Sequence, residues 1–322
     1  MNYEMIIKGK YDVRELNEEL TVEESLDEVS MRVQGSFLNQ PDFPKLEGGE
    51  DFSVFGKAFG TSTVKQLFSG VIWDINENKR GSKKISLTCY DRSIYMARSE
   101  DEYLFSKGQT AAQRIKKYAA DWGIPLGSIA NTGVALAKSV YRAQPIQRMI
   151  ESDLNETSDK GGFLYVPRMN VNKLELVPIG NNKEVWILES TEEIDRNRSL
   201  DNAVTQVKVL GKEEEGKRTP VLATVSKDTK KYGTIQKVLQ DDKVKKKSDA
   251  EKAGKKLLTG IEERIVVRAL DINTIRAGDA VKLNNKDWFV ISVKRNLGSS
   301  GMMTLELGSL DLIRRRYYGG SV

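Results

Sequence analysis

Side chains that could act as nucleophiles, proton carriers or soft-metal ligands are few in kind. The 322-residue sequence contains no histidine and one cysteine, Cys89, in the run ISLTCY. Without imidazole, the sequence excludes a Ser-His-Asp triad, a Cys-His pair and an HExxH metalloprotease site. A single thiol cannot build a thiolate zinc cage either. The chemistry that remains is that of carboxylates, lysine amines and hard cations bound by Asp and Glu.

Cys89 and the carboxylates do not form a recognisable catalytic pattern. Alternation in ISLTCY places Cys89 on one face of a strand, which favours a packing role over a nucleophilic one. A glycosidase would need two carboxylates about 5 to 9.5 Å apart. The sequence contains 46 Asp and Glu residues, and no motif singles out two of them as such a pair. We therefore expect no catalytic, cofactor-binding or metal-binding residues and no cofactor. One cysteine also excludes an internal disulfide, which is typical of cytoplasmic synthesis.

Positive charge is concentrated in the last third of the chain. From Gly211 onward there are 24 Lys and Arg against 15 Asp and Glu, while the preceding residues hold 27 against 31. The basic runs are KDTKKYG, DKVKKKSDAEKAGKK and LIRRRYY. Such a patch raises affinity for nucleic acid. However, KVKKK at 243–247 lacks the interleaved aromatics of a single-strand binding track, so a solvated helix face is the other interpretation.

The elements that would position these groups begin with short alternating strands. Residues 1–102 predict an all-β region, with strands in YEMIIKG, LTVEESL, EVSMRVQGSFL, DFSVFG, LFSGVIWDI and KKISLTCYD. Their spacing of about ten residues suits a small antiparallel barrel or sandwich. The N-terminus lacks the features of a secretion signal. Apolar runs fall short of the ~18 residues that a membrane helix needs, so we expect no membrane anchor.

The middle of the chain predicts a small α+β domain. Thr110 and Gln113 have the spacing of a capping box for a helix that ends at Gly123. Its stripe of Ile115, Tyr118, Ala119 and Trp122 is typical of core packing rather than of a ligand pocket. A second helix carries a stripe of Ile146, Met149, Ile150 and Leu154. Strands in GFLYVPR, KLELVPI and EVWIL complete the domain.

The C-terminal part returns to strands and repeats an earlier pattern. Predicted strands lie in AVTQVKVLG, TPVLATV, KYGTIQKVLQ, RIVVRAL, DAVKL, WFVISV and MMTLEL, with one helix in SDAEKAGKKLLTG. Residues 48–91 and 277–309 each contain an acidic turn and three alternating runs, the last two joined by a Gly-containing loop. This predicts a duplicated three-strand unit. The basic, Gly-ended tail is expected to be mobile at its end, and a truncation before Asp311 is expected to leave the barrels whole.

Several segments in a fixed order resemble a known family. They are LFSKGQTAAQRIKKYAADWGIPLGSIANTG (104–133), YRAQPIQRMIESDLNET (141–157), VTQVKVLGK (204–212), KYGTIQKV (231–238), IRAGDAVKL (275–283) and the closing MMTLEL. Together they resemble the XkdQ/YqbQ-type tail proteins of Bacillus prophages. These belong to the baseplate hub proteins of contractile phage tails and tail-like bacteriocins.

The resemblance implies a fold and three domains. The expected class is mainly β with an α+β insertion, in which two tail-tube-like antiparallel β-barrel domains flank a small α+β domain. The expected boundaries are 1–102 for the first barrel, 103–200 for the α+β domain, and 201–322 for the second barrel with one helix and a basic tail. The matching unit predicts that Phe52 and Val54 correspond to Val281 and Leu283, and that Ile85, Leu87 and Cys89 correspond to Met303, Leu305 and Leu307.

The resemblance also implies a structural role without enzymatic activity. Three chains would form a homotrimeric ring with pseudo-six-fold symmetry that joins the hexameric tail tube protein to the trimeric spike protein. Tape-measure and LysM-type baseplate proteins are further expected partners, and nucleic acid would only pass transiently through the lumen of a phage tail. The protein would be made in the bacterial cytoplasm and assembled into a virion tail or tail-like particle. The alternatives are a basic nucleic-acid-binding component and a cell-wall hydrolase component of a tail. A hydrolase extension is not expected, because the sequence ends soon after its last strand.

Overall fold

The computed structural model describes residues 3–78, 83–189, 191–213, 216, 218–240, 244, 246–297 and 301–318. Its N-terminal part consists of strands with alternating buried and exposed residues. They are β1 (Glu4–Ile7), β2 (Tyr11–Asp12), β3 (Asn17–Ser25), β4 (Arg32–Leu38), β5 (Asp51–Lys57), β6 (Val64–Asn78) and β7 (Lys84–Asp91). A 3₁₀ turn at Arg14–Leu16 separates β2 from β3. The six strands predicted for this part are confirmed.

The middle part packs helices on two small sheets. Its elements are α1 (Ile94–Arg98), β8 (Glu100–Phe105), α2 (Ala111–Asp121), β9 (Leu126–Ile129), β10 (Ser139–Pro145), α3 (Ile146–Asp159), β11 (Tyr165–Asn170), β12 (Lys173–Pro178) and β13 (Trp186–Ile187). The capping box is confirmed, because the Gln113 N–H donates to the Thr110 hydroxyl and the Thr110 N–H donates to the Gln113 side chain. The predicted stripe on α2 is buried except for Trp122, which is half-buried.

The rest of the chain contains more strands and three helices in its described residues. They are β14 (Thr191–Ser199), β15 (Gln206–Leu210), β16 (Val221–Ser226), α4 (Thr229–Tyr232), β17 (Gln236–Gln240), α5 (Lys247–Leu257), β18 (Glu262–Leu270), β19 (Ala280–Leu283), β20 (Lys286–Asn296), β21 (Met302–Gly308) and α6 (Leu310–Tyr317). The predicted tail is thus the helix α6 up to Tyr317. The expected mobility of the last residues concerns 319–322, which lie outside the described residues. Within the described part of the chain, the helices are too short or too polar to cross a bilayer.

Two compact units divide the chain. One comprises residues 196–264, in which β15 pairs antiparallel with β16 and parallel with β17. Val207, Val209 and Ala223 form its core with Ala250 of α5. The other unit comprises residues 1–195 and 265–322. In this division β15–β17 have a sheet of their own and do not join the C-terminal strands. The predicted domain boundaries 1–102, 103–200 and 201–322 stay a prediction.

Most strands of the larger unit belong to one mixed sheet. Its order is β14-β18-β21-β20-β3-β4-β7-β6-β5-β1-β2, and β19 branches off to pair with β20 and β13. The mainly β class with an α+β insertion is confirmed. The strands described do not close into two barrels, because β3 from the N-terminal part pairs with β20 from the C-terminal part and merges both sets into one sheet.

The same arrangement of six strands occurs twice along the chain. In the first repeat, the spatial order is β3-β4-β7-β6-β5-β1, and in the second it is β14-β18-β21-β20-β19-β13. The strands also follow one another in the same order along the sequence, and residues 200–261, which form most of the unit 196–264, lie between β14 and β18. One difference is that β1 pairs antiparallel with β5, whereas β13 pairs parallel with β19.

The registers of the two repeats agree as well. The pairing of β6 with β7 shifts between Ile72 and Asp74, and that of β20 with β21 shifts between Val290 and Ser292. Cys89 lies opposite Ile72, as Leu307 lies opposite Val290. The three-strand duplication is therefore confirmed in strand order and register, including the predicted correspondence of Cys89 with Leu307. Superposition of the two copies stays a prediction.

Candidate assembly surface

Cys89 and Asp91, two side chains that could in principle react, are both buried in the folded chain. Cys89 is 1% exposed, and burial raises the pKa of its thiol. Asp91 is also buried, and burial raises the pKa of its carboxyl to about 6. Its oxygens accept hydrogen bonds from the N–H groups of Met31 and Ser93 at 2.8 and 2.9 Å, so it holds two chain segments together. Among the described residues, His, Cys, Asp and Glu do not form a group that could hold a metal.

Of the three basic runs in the last third, the second includes the solvated helix α5, and the third lies on α6, whose arginines contact neighbouring side chains. Lys247, Lys252, Lys255 and Lys256 are exposed on α5, and parts of 243–247 lie outside the described residues. The arginines of LIRRRYY lie on α6, where Arg316 pairs with Asp27 at 3.0 Å and Arg314 donates to the Ser158 hydroxyl at 2.8 Å. The described lysines of α5 are therefore solvated, whereas Arg314 and Arg316 of α6 are held by neighbouring side chains.

The pairing of β3 with β20 joins the two repeats, and we call it the junction. Residues 21–25 of β3 lie antiparallel to residues 292–296 of β20. The other half of β20, residues 286–289, pairs on the same side with β19. Glu23 forms an ion pair with Lys294 across the junction at 2.9 Å. In the junction, β3, which begins the spatial order of the first repeat, thus pairs with the C-terminal half of β20 in the second repeat.

Buried ion pairs connect the strands of the junction to neighbouring segments of the chain. Arg276 donates from Nε and Nη2 to the two carboxylate oxygens of Glu24, each at 2.6 Å. Burial raises the pKa of Glu24, but Arg276 and the Ala277 N–H outweigh it and hold this pKa below its ordinary value. Arg168 pairs with Asp279 at 2.9 Å next to them. This bidentate geometry fixes β3 against the C-terminal strands, because both charged groups would be unpaired if the junction opened.

Two strand edges that correspond to those paired in the junction are not covered by another strand among the described residues. β14 corresponds to β3, and among the described strands it pairs only with β18. β6 corresponds to β20, and beyond Val71 its described pairing is with β7 alone. Most residues of β14 are exposed, including Ile194 at 41%. Such edges attract further strands, so they form the candidate assembly surface.

Sequence reasoning identified the repeat but missed the residues that make the junction and the edge. Glu24 and Arg276 are 252 positions apart, and neither lies in a local motif. The run TEEIDRNRS of β14 lacks apolar alternation because nearly all its side chains face solvent. The one available signal was its position in the repeat, since a strand equivalent to β3 was required between β13 and β18.

The fold is that of several tail proteins of known structure. The chain is similar to the 43 kDa tail protein of prophage MuSo2 from Shewanella oneidensis, with a TM-score of 0.74, 11% identity, and coverage of 96% of this chain and 98% of that one. The tail protein from Neisseria meningitidis MC58 gives 0.69, 15% identity and 99% coverage of both chains. The Escherichia coli protein c3393, a type VI secretion component described as similar to the T4 tail proteins gp27 and gp5, gives 0.55 and 10% identity. That match covers 95% of this chain and 77% of the c3393 chain.

The sequence then identifies the family. The YqbQ-like family profile matches residues 58–307, and the chain belongs to this family. Its relatives include the uncharacterized protein YqbQ of Bacillus subtilis strain 168, which is 26% identical over 261 residues, covering 76% of this chain and 78% of the relative. The phage-like element PBSX protein XkdQ of the same strain is 28% identical over 225 residues, covering 66% and 67%.

Proposed function

We propose that the chain is the structural hub of a baseplate in a contractile phage tail or a tail-like bacteriocin. Three copies form a ring that joins a hexameric tail tube to a trimeric spike. The observation that carries this proposal is the six-strand order that occurs twice in one chain. Three chains with two such units each present six similar units, which reconciles three-fold with six-fold symmetry.

The comparisons support the class of particle in which this hub would work. One relative, XkdQ, is named for a phage-like element, and two similar structures are tail proteins of prophage or bacterial origin. The similarity to a type VI component that itself resembles tail proteins supports a position near a spike. We extend the proposal to the tail tube and spike as direct partners. Tape-measure and LysM-type baseplate proteins are more distant partners, and nucleic acid passes only through the lumen.

A ring of three chains is the expected result when the purified chain is imaged by electron microscopy. Mass photometry of the purified chain should give a particle three times the 36.2 kDa chain mass. Complexes formed after addition of tube and spike proteins should contain three copies of the chain. Class averages should show three-fold symmetry with six similar lobes, because each chain supplies two related units. A particle whose chain number is not a multiple of three, under all these conditions, would contradict the proposal.

We also propose that the hub has no cell-wall hydrolase activity. The support is the absence of histidine together with the structural placement of the buried acids, Asp91 among them. A zymogram with cell-wall material should show no clearing at the position of the purified chain. Clearing that disappears when one Asp or Glu is replaced would establish an enzymatic role instead.

A further inference from the structure

We propose that β14 of one chain pairs antiparallel with the C-terminal half of β6, from Asp74 onward, in a neighbouring copy of the same chain. The sheet would then continue from one subunit into the next. The partner is a second copy because the chain already contains the same contact once, in the junction between β3 and β20. The number of copies in the closed ring rests on the proposed function, whereas the strand pairing follows from the repeat.

The junction supplies the geometry of the proposed contact. In it, β3 of the first repeat pairs with the part of β20 that lies beyond the bulge at Val290–Ser292. The bulge at Ile72–Asp74 is the matching feature of β6, so Asp74, Ile75 and Asn76 correspond to Ser292, Val293 and Lys294. β5 ends its pairing with β6 at Val71 and leaves this side of the strand to a partner.

A chain with two repeats must leave one such contact unmade. Its first repeat offers the edge of β6 at Asp74, Ile75 and Asn76, and its second repeat offers the edge of β14, so the two surfaces are complementary and different. Contacts of this kind are heterologous and continue head to tail until a ring closes. Along that ring, junctions within chains alternate with β14–β6 contacts between chains.

Charge explains why these two surfaces select each other. At the junction the first strand is acidic at Glu23 and the central strand is basic at Lys294. The signs are reversed in the proposed contact. Arg196 and Arg198, which share Glu263 of β18 as a partner within the chain, lie in the C-terminal half of β14, and Asp74 lies on β6. Antiparallel pairing in the junction's sense brings that basic half of β14 towards Asp74. Pairing β14 with another copy's β20 would instead bring arginines towards Lys294, and this repulsion disfavours the wrong contact.

Proline substitution on β14 tests the pairing with its own internal control. Along an antiparallel strand, successive N–H groups point to opposite sides, so Arg196→Pro and Asn197→Pro each remove one N–H, one towards β18 and one towards the outer edge. The inner substitution should lower the melting temperature. The outer substitution should leave melting and circular dichroism unchanged but abolish the ring. Two variants that fold and still form the wild-type ring would overturn the proposal.

Cross-linking tests the partner directly. In a Cys89→Ser background, Asp74→Cys and Arg198→Cys in one chain should be joined between chains by a short bis-maleimide. The product should be a ladder of covalent oligomers on a denaturing gel. The matched control replaces Asp74→Cys by Lys294→Cys, whose strand side is already covered by β3, and should remain monomeric. Rings without cross-links at Asp74 would overturn this contact and leave the hub proposal intact, whereas wild-type chains that do not associate with tube and spike present would overturn both.

Discussion

Replacement of Asp153 by alanine is expected to lower the free energy of unfolding by about 3–5 kcal/mol, because it leaves a buried guanidinium without its carboxylate. Asp153 on α3 and Arg114 on α2 are both fully buried, and their side chains pair at 2.6 Å. The Tyr118 and Tyr141 hydroxyls donate to the same carboxylate at 3.2 and 2.7 Å. Loss of Asp153 therefore leaves one charge and two hydroxyls without their shared acceptor.

Burial governs the energetics of this group. It raises the pKa of Asp153, while the Tyr141 hydroxyl and the Arg114 charge act in the opposite direction. The Arg114 guanidinium is held further by the Ala137 carbonyl at 2.6 Å and the Ser139 hydroxyl at 2.9 Å. The network thus ties α2, α3 and the segment before β10 into one arrangement. We interpret it as a device that fixes the relative position of these elements more than as a source of net stability.

Chemical denaturation with tryptophan fluorescence measures the effect. The control is Asp121→Ala, which removes the exposed i,i+4 pair with Lys117 and the hydrogen bond from the Tyr103 hydroxyl at 3.0 Å. It should change the free energy of unfolding by no more than about 1 kcal/mol, because Asp121 is solvent-exposed. The double variant Arg114→Met with Asp153→Leu should recover the part of the lost stability that is due to the unpaired charge, but not the part due to the Tyr118 and Tyr141 hydroxyls. Equal stability of Asp153→Ala and Asp121→Ala would show that Arg114 finds water or another acceptor.

The sequence predicted most strands and the central helices because their burial alternates with the period of the element. Phe52, Val54, Ile85 and Leu87 are all buried, as strand alternation requires. The stripe on α3, Ile146 to Leu154, is buried for the corresponding reason in a helix. Duplication was visible for the same reason, because the acidic turns and alternating runs recur in the same order.

The features that decide the assembly left no such local pattern. β14 is polar on both faces, and the junction depends on pairs such as Glu24–Arg276 that only the folded chain brings together. Unit 196–264 looked like more strands of a barrel, because alternation identifies a strand but not the sheet that it joins. α6 was missed because RRRYY suggested a basic surface tail, although Leu312 and Ile313 next to it are buried.

Ending the chain before Asp311 is expected to destabilise the larger unit severely, contrary to the expectation that the tail is dispensable. Leu312, Ile313 and Tyr318 are 1%, 0% and 7% exposed and belong to the same core cluster as α2 and α3. Burial of a large apolar side chain such as Leu or Ile contributes about 1.5–3 kcal/mol, and the Tyr318 ring adds further buried area. Their joint loss is therefore comparable to the roughly 5–15 kcal/mol that stabilises a whole domain.

Local geometry shows how closely α6 is fitted to the sheet. The Ser309 hydroxyl caps the helix by accepting the Leu312 N–H at 3.2 Å. A side chain at Gly308 would collide with Ile291 of β20 and with Leu312. At the other end, the Tyr318 hydroxyl donates to the Tyr165 carbonyl at 2.5 Å. Helix α6 is thus anchored both to the central strand of the second repeat and to the middle sheet.

Two leucines on α6 allow this to be tested without truncation. Leu312→Ala should lower the free energy of unfolding by about 2–5 kcal/mol, because it opens a cavity beside Ile291. Leu310→Ala is the matched control, since Leu310 lies in the same helix but is 38% exposed, and it should cost no more than about 0.5 kcal/mol. The chain ending at Leu310 should melt at a far lower temperature than either variant. If it instead melted with the full-length chain, α6 would be a peripheral tail, its contacts with the core would be dispensable, and RRRYY would be available to a spike or tube partner.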